Sequence, residues 1–123
     1  MRTFCFILNN NRRTELIHTA HKQFAIHHAE LSNGCNMAYI DEGSGEHTLV
    51  FVHGLATYGG SWKYQIEALK EHYRCIAVDL PGNGYSDRGN YDYSMHFYAG
   101  CVYDFIQKLG LKNVVLVGHS MGG

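Results

Sequence analysis

The chain has 123 residues, 46% of them hydrophobic and 17% charged, with a formal net charge of -1. That is long enough for one domain with a modest core, and too apolar for a disordered segment. The near-neutral balance gives no basic field for nucleic acid and no polybasic patch for a membrane surface, so neither partner is expected.

Met1-Arg2-Thr3-Phe4-Cys5-Phe6-Ile7-Leu8 starts the chain, and its apolar run, Phe4 to Leu8, is too short for a signal-peptide core. Residues 1–22 are therefore expected to form a loosely ordered or locally helical extension, with residues 23–123 forming the domain. Every apolar run is strand-sized, which argues against a membrane span. Cys5, Cys35, Cys75 and Cys101 are widely spaced with no Cys-x-x-Cys pair, the pattern of reduced thiols in a cytoplasmic protein. His18-x-x-His21 and His27-His28 lack accompanying carboxylates or cysteines, and adjacent strand residues face opposite sides, so no metal is expected.

Gln23 to Leu31 reads as a strand with Phe24 and Ile26 on one face. Ser32-Asn33-Gly34 signals a turn, and Asn36 to Ile40 returns as the second strand of a hairpin. Asp41-Glu42-Gly43-Ser44-Gly45-Glu46 reads as a polar connection. Thr48 to Val52 is the first fully apolar strand, followed by His53-Gly54-Leu55. Ser61 is placed to cap a helix running to about Tyr73, with Trp62, Ile66, Leu69 and Tyr73 as its buried stripe. Cys75 to Val78 is the next buried strand and ends at Asp79. The loop from Leu80 to Tyr93, rich in turn residues, predicts no regular element. Ser94 caps a second helix whose stripe is Tyr98, Cys101, Val102, Phe105 and Leu109, and Gly110 stops it. Val114 to Val117 shows no polar alternation and reads as a fully buried parallel strand.

Strand, helix, strand, helix, strand predicts a parallel α/β sheet whose strand ends share one edge, where ligands bind in such sheets. His53-Gly54-Leu55, Asp79 and Ser120 fall at that edge. The last strand runs into Gly118-His119-Ser120-Met121-Gly122-Gly123. Gly-x-Ser-x-Gly between a strand and a helix is the nucleophile-elbow pattern. A side chain at 118 or 122 would strike neighbouring backbone, and a helix starting after Ser120 would aim free N–H groups at the site. Two weaker patterns point elsewhere and fail. Gly54 to Ser61 resembles a phosphate-binding loop, but Gly60 stands where the lysine is needed. Gly82 to Asp87 half-matches a dinucleotide fingerprint, with Asp87 in place of the third glycine. No cofactor is expected.

His53-Gly54-Leu55, Asp79-Leu80-Pro81-Gly82-Asn83-Gly84-Tyr85-Ser86-Asp87 and the Ser120 elbow, in this order over Thr48 to Gly123, resemble landmarks of the α/β-hydrolase superfamily, in its serine esterase or lipase-like branch. The resemblance implies a truncated α/β-hydrolase fold: an N-terminal β-hairpin, then parallel βαβαβ ending at the nucleophile elbow, with the C-terminal half absent. It implies cofactor-independent cleavage of a small-molecule ester or thioester through an acyl-enzyme intermediate. Ser120 would be the nucleophile and the backbone N–H groups of Leu55 and Met121 the oxyanion hole. Gly54, Gly118, His119 and Gly122 would support them, and His53 would hold its own loop in shape. The family order of serine, acid, histidine places both remaining triad members after residue 123 and rejects His53 and His119 as the base. The side chain of His119 is expected to leave the opposite side of the strand end. Asp79, upstream of the serine, is expected to be structural. Serine in place of aspartate at the elbow argues against the dehalogenase and epoxide-hydrolase branches. The competing expectation is an inert fragment or non-catalytic binding relative, whose open sheet edge would favour self-association.

Overall fold

The computed structural model describes residues 24–123. The expected extension, residues 1–22, lies outside the described residues, as do Gln23, Cys5, His18 and His21. Five strands form one mixed sheet: β1 (His27–Glu30), β2 (Asn36–Glu42), β3 (Thr48–Val52), β4 (Arg74–Val78) and β5 (Val114–Gly118). A 3-10 turn, Gly59–Trp62, leads into helix α1 (Lys63–Leu69) between β3 and β4, and helix α2 (Met95–Lys108) joins β4 to β5. The strand order is β1-β2-β4-β3-β5. The hairpin strand β2 pairs antiparallel with β4, while β3 lies parallel to both β4 and β5. The three parallel strands therefore deliver their carboxyl ends to one rim. β4 and β5 are added on opposite sides of β3, the kind of switch point at which α/β sheets bind ligands.

Strand alternation sorts the core into two layers. Val50, Val52, Ile76 and Val78 meet Cys101, Val102 and Phe105 of α2 on one face. Leu49, Phe51, Cys75 and Ala77 meet Trp62 and Ile66 of the α1 segment on the other. With both faces covered, β3 is buried along its whole length, which is why its sequence carries no polar alternation. Phe24, and Ile26 beside it, pack on the α1 layer, as their shared face implies.

The second helix has the expected ends. Ser94 Oγ accepts the Phe97 N–H at 3.1 Å, removing one of the orphan donors of the first turn. Gly110 sits at φ +60°, and the N–H groups of Gly110 and Leu111 donate to Gln107 and Ile106 carbonyls at 3.0 and 3.1 Å. This paired closure requires a left-handed residue just past the helix, where glycine is cheapest.

Three expectations need correction. Ser61 does not cap the first helix. The chain turns at Gly59 because the Gly59 N–H is captured by the Asp79 carboxylate, so Ser61 falls inside the 3-10 turn and α1 ends at Leu69. The first strand is shorter than Gln23 to Leu31, and the second reaches Glu42, because Asp41 and Glu42 pair with Ile76 and Cys75 of β4. Most consequential for packing, β5 is parallel but not buried. Among the described residues it pairs with β3 alone, and Val115 and Leu116 are 45% and 59% exposed. Among the described residues, no helix is long and apolar enough to cross a membrane.

Candidate active site

The site is built first from the end of β5. The His119 N–H donates to the Val52 carbonyl at 3.2 Å, holding the strand end against β3. Ser120 follows at φ +55°, a left-handed conformation that costs a non-glycine residue about 1–3 kcal/mol and persists only where surroundings impose it. Here they do. The Gly122 and Gly123 N–H groups donate back to the His119 and Ser120 carbonyls, each at 3.0 Å, closing a 3-10 turn over Ser120–Gly122. A Cβ at Gly118 would stand 2.6 Å from the Gly122 carbonyl carbon, and one at Gly122 would stand 2.7 Å from the His53 carbonyl oxygen. Only glycine permits this closeness. Ser120 is exposed, while Met121 is half-buried against the α2 layer. The helix expected after Ser120 is, within the described residues, this single turn.

The loop leaving β3 lies against that turn. A Cβ built on Gly54 would be 3.2 Å from Ser120 Cβ and 3.1 Å from the His119 carbonyl oxygen. The same point is 3.3 Å from His119 Nδ1, so this ring lies beside Gly54 rather than leaving the opposite side of the strand end. Leu55 and Ala56 follow, the first 75% exposed and the second at φ +56°.

His53 is buried beneath this loop. Its Nε2 accepts the Leu80 N–H at 2.9 Å, which requires a bare nitrogen there. The ring proton is thereby assigned to Nδ1, which donates to the Gly54 carbonyl at 2.8 Å. Burial holds the ring's pKa below its ordinary value, against the opposing pull of the Gly54 carbonyl and the nearby Asp79. Neutral, enclosed and bonded at both nitrogens, His53 ties the β3 loop to the β4 loop and has no lone pair to offer Ser120.

Asp79 makes the second tie. One carboxylate oxygen accepts the Gly59 N–H at 2.6 Å and the other accepts the Tyr85 N–H at 2.8 Å. Its carbonyl accepts the Ser86 hydroxyl, and the same hydroxyl oxygen accepts the Ala38 N–H at 2.7 Å. Asp79 and Ser86 are both buried. The structural role expected of Asp79 is thus visible, but its link to Gly59 and the Ser86 link to β2 join segments far apart in sequence. The one local signal was a carboxylate directly after an apolar strand, followed by a glycine-rich turn.

The fold brings His53, Gly54, Asp79, Gly118, His119, Ser120, Met121 and Gly122 to the carboxyl ends of β3, β4 and β5, with Leu55 on the same loop. Among the described residues, no three His, Cys, Asp or Glu side chains form a metal-binding group.

A family model described as the alpha/beta hydrolase fold matches residues 47–123. Over 93 residues the chain is 37% identical to (E)-2-((N-methylformamido)methylene)succinate hydrolase of Acinetobacter baylyi, covering 76% of this chain and 35% of that protein. It is 37% identical over 89 residues to epoxide hydrolase 2 of Caenorhabditis elegans, covering 70% of this chain and 25% of that one. A solved esterase from Exiguobacterium antarcticum superposes with a TM-score of 0.73 at 35% identity, covering 77% of this chain and 35% of the esterase. The chain spans only 25% to 35% of the length of these relatives. The matched stretch holds both halves of the rim just described, the β3 loop and the serine turn that rests on it, and on that ground the chain belongs to the alpha/beta hydrolase fold family.

Proposed function

We propose that the protein is a hydrolase that cleaves a small-molecule ester or thioester through an acyl-enzyme intermediate on Ser120. The observation that carries this reading is an exposed serine held at φ +55° in a glycine-flanked turn, with the Gly54 backbone against it. Backbone strain at a solvent-facing nucleophile type is where function is to be sought. In this reading Ser120 Oγ gives its proton to a base and attacks the acyl carbon. The N–H groups of Leu55 and Met121 hold the oxyanion that forms. Collapse expels the alcohol or thiol, which takes the proton. Water then attacks the acyl-serine, releases the acid and restores the hydroxyl. His53 has no free nitrogen to serve as the base, and the family order of serine, acid, histidine implies that the base and its acidic partner come after Ser120, in residues beyond position 123.

Epoxide hydrolases among the relatives suggest a rival substrate, and the chemistry of serine decides against it. A carboxylate that opens an epoxide leaves an ester, which water can cleave. A serine that opens an epoxide would leave an ether, with no acyl carbon for water to attack, and the enzyme would stop after one turnover. Ser120 thus favours acyl substrates.

A serine-directed fluorophosphonate tests the reading. The protein extended through its acid and histidine should be labelled at Ser120, and Ser120→Ala should not. Residues 1–123 alone should react slowly. A folded, extended protein that resists labelling overturns the hydrolase reading and leaves a non-catalytic binding relative of the fold.

A further inference from the structure

We propose that Asp79 is a positioning residue for the Leu55 amide: its buried carboxylate fixes the far end of the loop that lies against Ser120. This rests on the reading of Ser120 as nucleophile and Leu55 as oxyanion donor, and adds what holds that donor in register.

The loop departs from β3 at His53 and re-enters regular structure at Gly59. Between them Leu55 and Ala56 are exposed, and Ala56 is left-handed. Inside the span the Thr57 hydroxyl donates to the Gly54 carbonyl at 3.3 Å, and each end of the span is tied to the loop that leaves the neighbouring strand. His53 secures the first end through the Leu80 N–H. Asp79 secures the second through the Gly59 N–H at 2.6 Å. Asp79 follows directly on Val78, which pairs with Val52 in the parallel ladder. The carboxylate therefore carries the position of β4 to the loop of β3. Its second oxygen is held by the Tyr85 N–H at 2.8 Å, which stops the carboxylate from rotating. Charge-assisted bonds of this kind are short and roughly twice as strong as neutral ones. The seat is also close-fitting: a Cβ on Gly59 would lie 3.0 Å from the accepting oxygen. With both oxygens committed to backbone, the group acts on loop position and not on the reacting atoms.

Asp79→Asn is near-isosteric, keeps one acceptor and sets an NH2 group against a backbone N–H. Asp79→Ala removes the acceptor of the buried Gly59 amide and of the Tyr85 amide. In the extended protein, with a p-nitrophenyl ester, kcat should fall about ten-fold for Asn and about a hundred-fold for Ala, with KM within about two-fold, as expected when a donor shifts by a fraction of an ångström. Amide exchange in Asp79→Asn should accelerate at residues 54–59 while β3 and β4 keep their protection. If Asp79→Ala does not fold, the Asn variant and its exchange pattern still decide. An Asn variant with unchanged kcat overturns the positioning role alone. A loss of kcat with exchange accelerated throughout the sheet also overturns it, since that is general destabilisation. A wild type whose acylation is absent, or survives Ser120→Ala, overturns the hydrolase reading and this inference with it.

Discussion

Strands β3 and β5 have nearly the same sequence character and opposite surroundings. Thr48–Val52 reads Thr-Leu-Val-Phe-Val and Val114–Gly118 reads Val-Val-Leu-Val-Gly. They pair in parallel, with Leu49 beside Val115 and Val50 beside Leu116. Val50 and Phe51 have no exposed surface, whereas more than half of Leu116 is open to solvent. Leu116 shares a face with Val50, yet the α2 layer, which reaches Val114 at the start of β5, leaves Leu116 open. Apolar, β-branched composition specifies that a strand forms and joins a parallel ladder. How much free energy its side chains contribute depends on the neighbouring strand and the helix across the face, which lie elsewhere in sequence.

The largest expected effect tests that contrast directly. Phe51→Ala removes a ring packed on Trp62 at 5.0 Å between centroids and should lower stability by about 3–5 kcal/mol. Leu116→Ala, already mostly solvated, should cost less than about 1 kcal/mol. Urea unfolding of both variants supplies the comparison. Comparable losses would mean that β5 is covered in solution.

The same contrast marks what could be read from sequence. β3, β4 and α2 were legible because their signals are local: unbroken apolar runs, a Ser94 cap and a glycine stop. The elbow was legible because Gly-x-Ser-x-Gly is a local pattern: Gly118 is demanded by contact with Gly122 inside the turn, although Gly122 itself is demanded by the Val52 and His53 carbonyls of the neighbouring strand exit. What failed was non-local. The first helix begins where it does because of Asp79, 20 residues from Gly59. Asp41 and Glu42 read as a connection, yet they extend β2. The Arg74 guanidinium grips the Asp41 carboxylate with two bonds, at 3.0 and 2.7 Å, and β4 supplies the ladder. The position of Leu55 on the rim was legible, whereas the tie that holds its loop was not.

The strand exits extend the comparison to a smaller effect. β3 runs into His53, buried and bonded at both nitrogens, while β5 runs into the half-buried His119. Because the folded-state pKa of His53 lies below the ordinary 6.5, the unfolded chain takes up a proton first as pH falls. Stability from this residue is therefore complete above about pH 6.5 and declines as pH drops toward the folded-state value. Protonation at Nε2 would also set two donors face to face at Leu80. His53→Gln should flatten the fall in unfolding free energy between about pH 7 and pH 5, whatever its effect on absolute stability. An unchanged slope would show that another group carries the acid sensitivity.

The smallest change in stability should accompany a clear change in association. The outer edge of β5 presents a row of backbone donors and acceptors with no strand beyond it among the described residues, flanked by the exposed Val115 and Leu116. Such an edge templates pairing with a second copy, and lysine on an edge strand is the usual deterrent. Leu116→Lys should alter unfolding free energy by no more than about 0.5 kcal/mol, since its side chain is already largely in water. In sedimentation, the mass of the wild-type chain should rise with concentration while that of the lysine variant stays at one copy. If the wild type remains a single copy at every concentration, self-pairing at this edge is excluded. β5 would then be either covered or too short to recruit a partner, and Leu116→Ala tells these apart: a loss near that of Phe51→Ala means covered, and a loss below about 1 kcal/mol means bare.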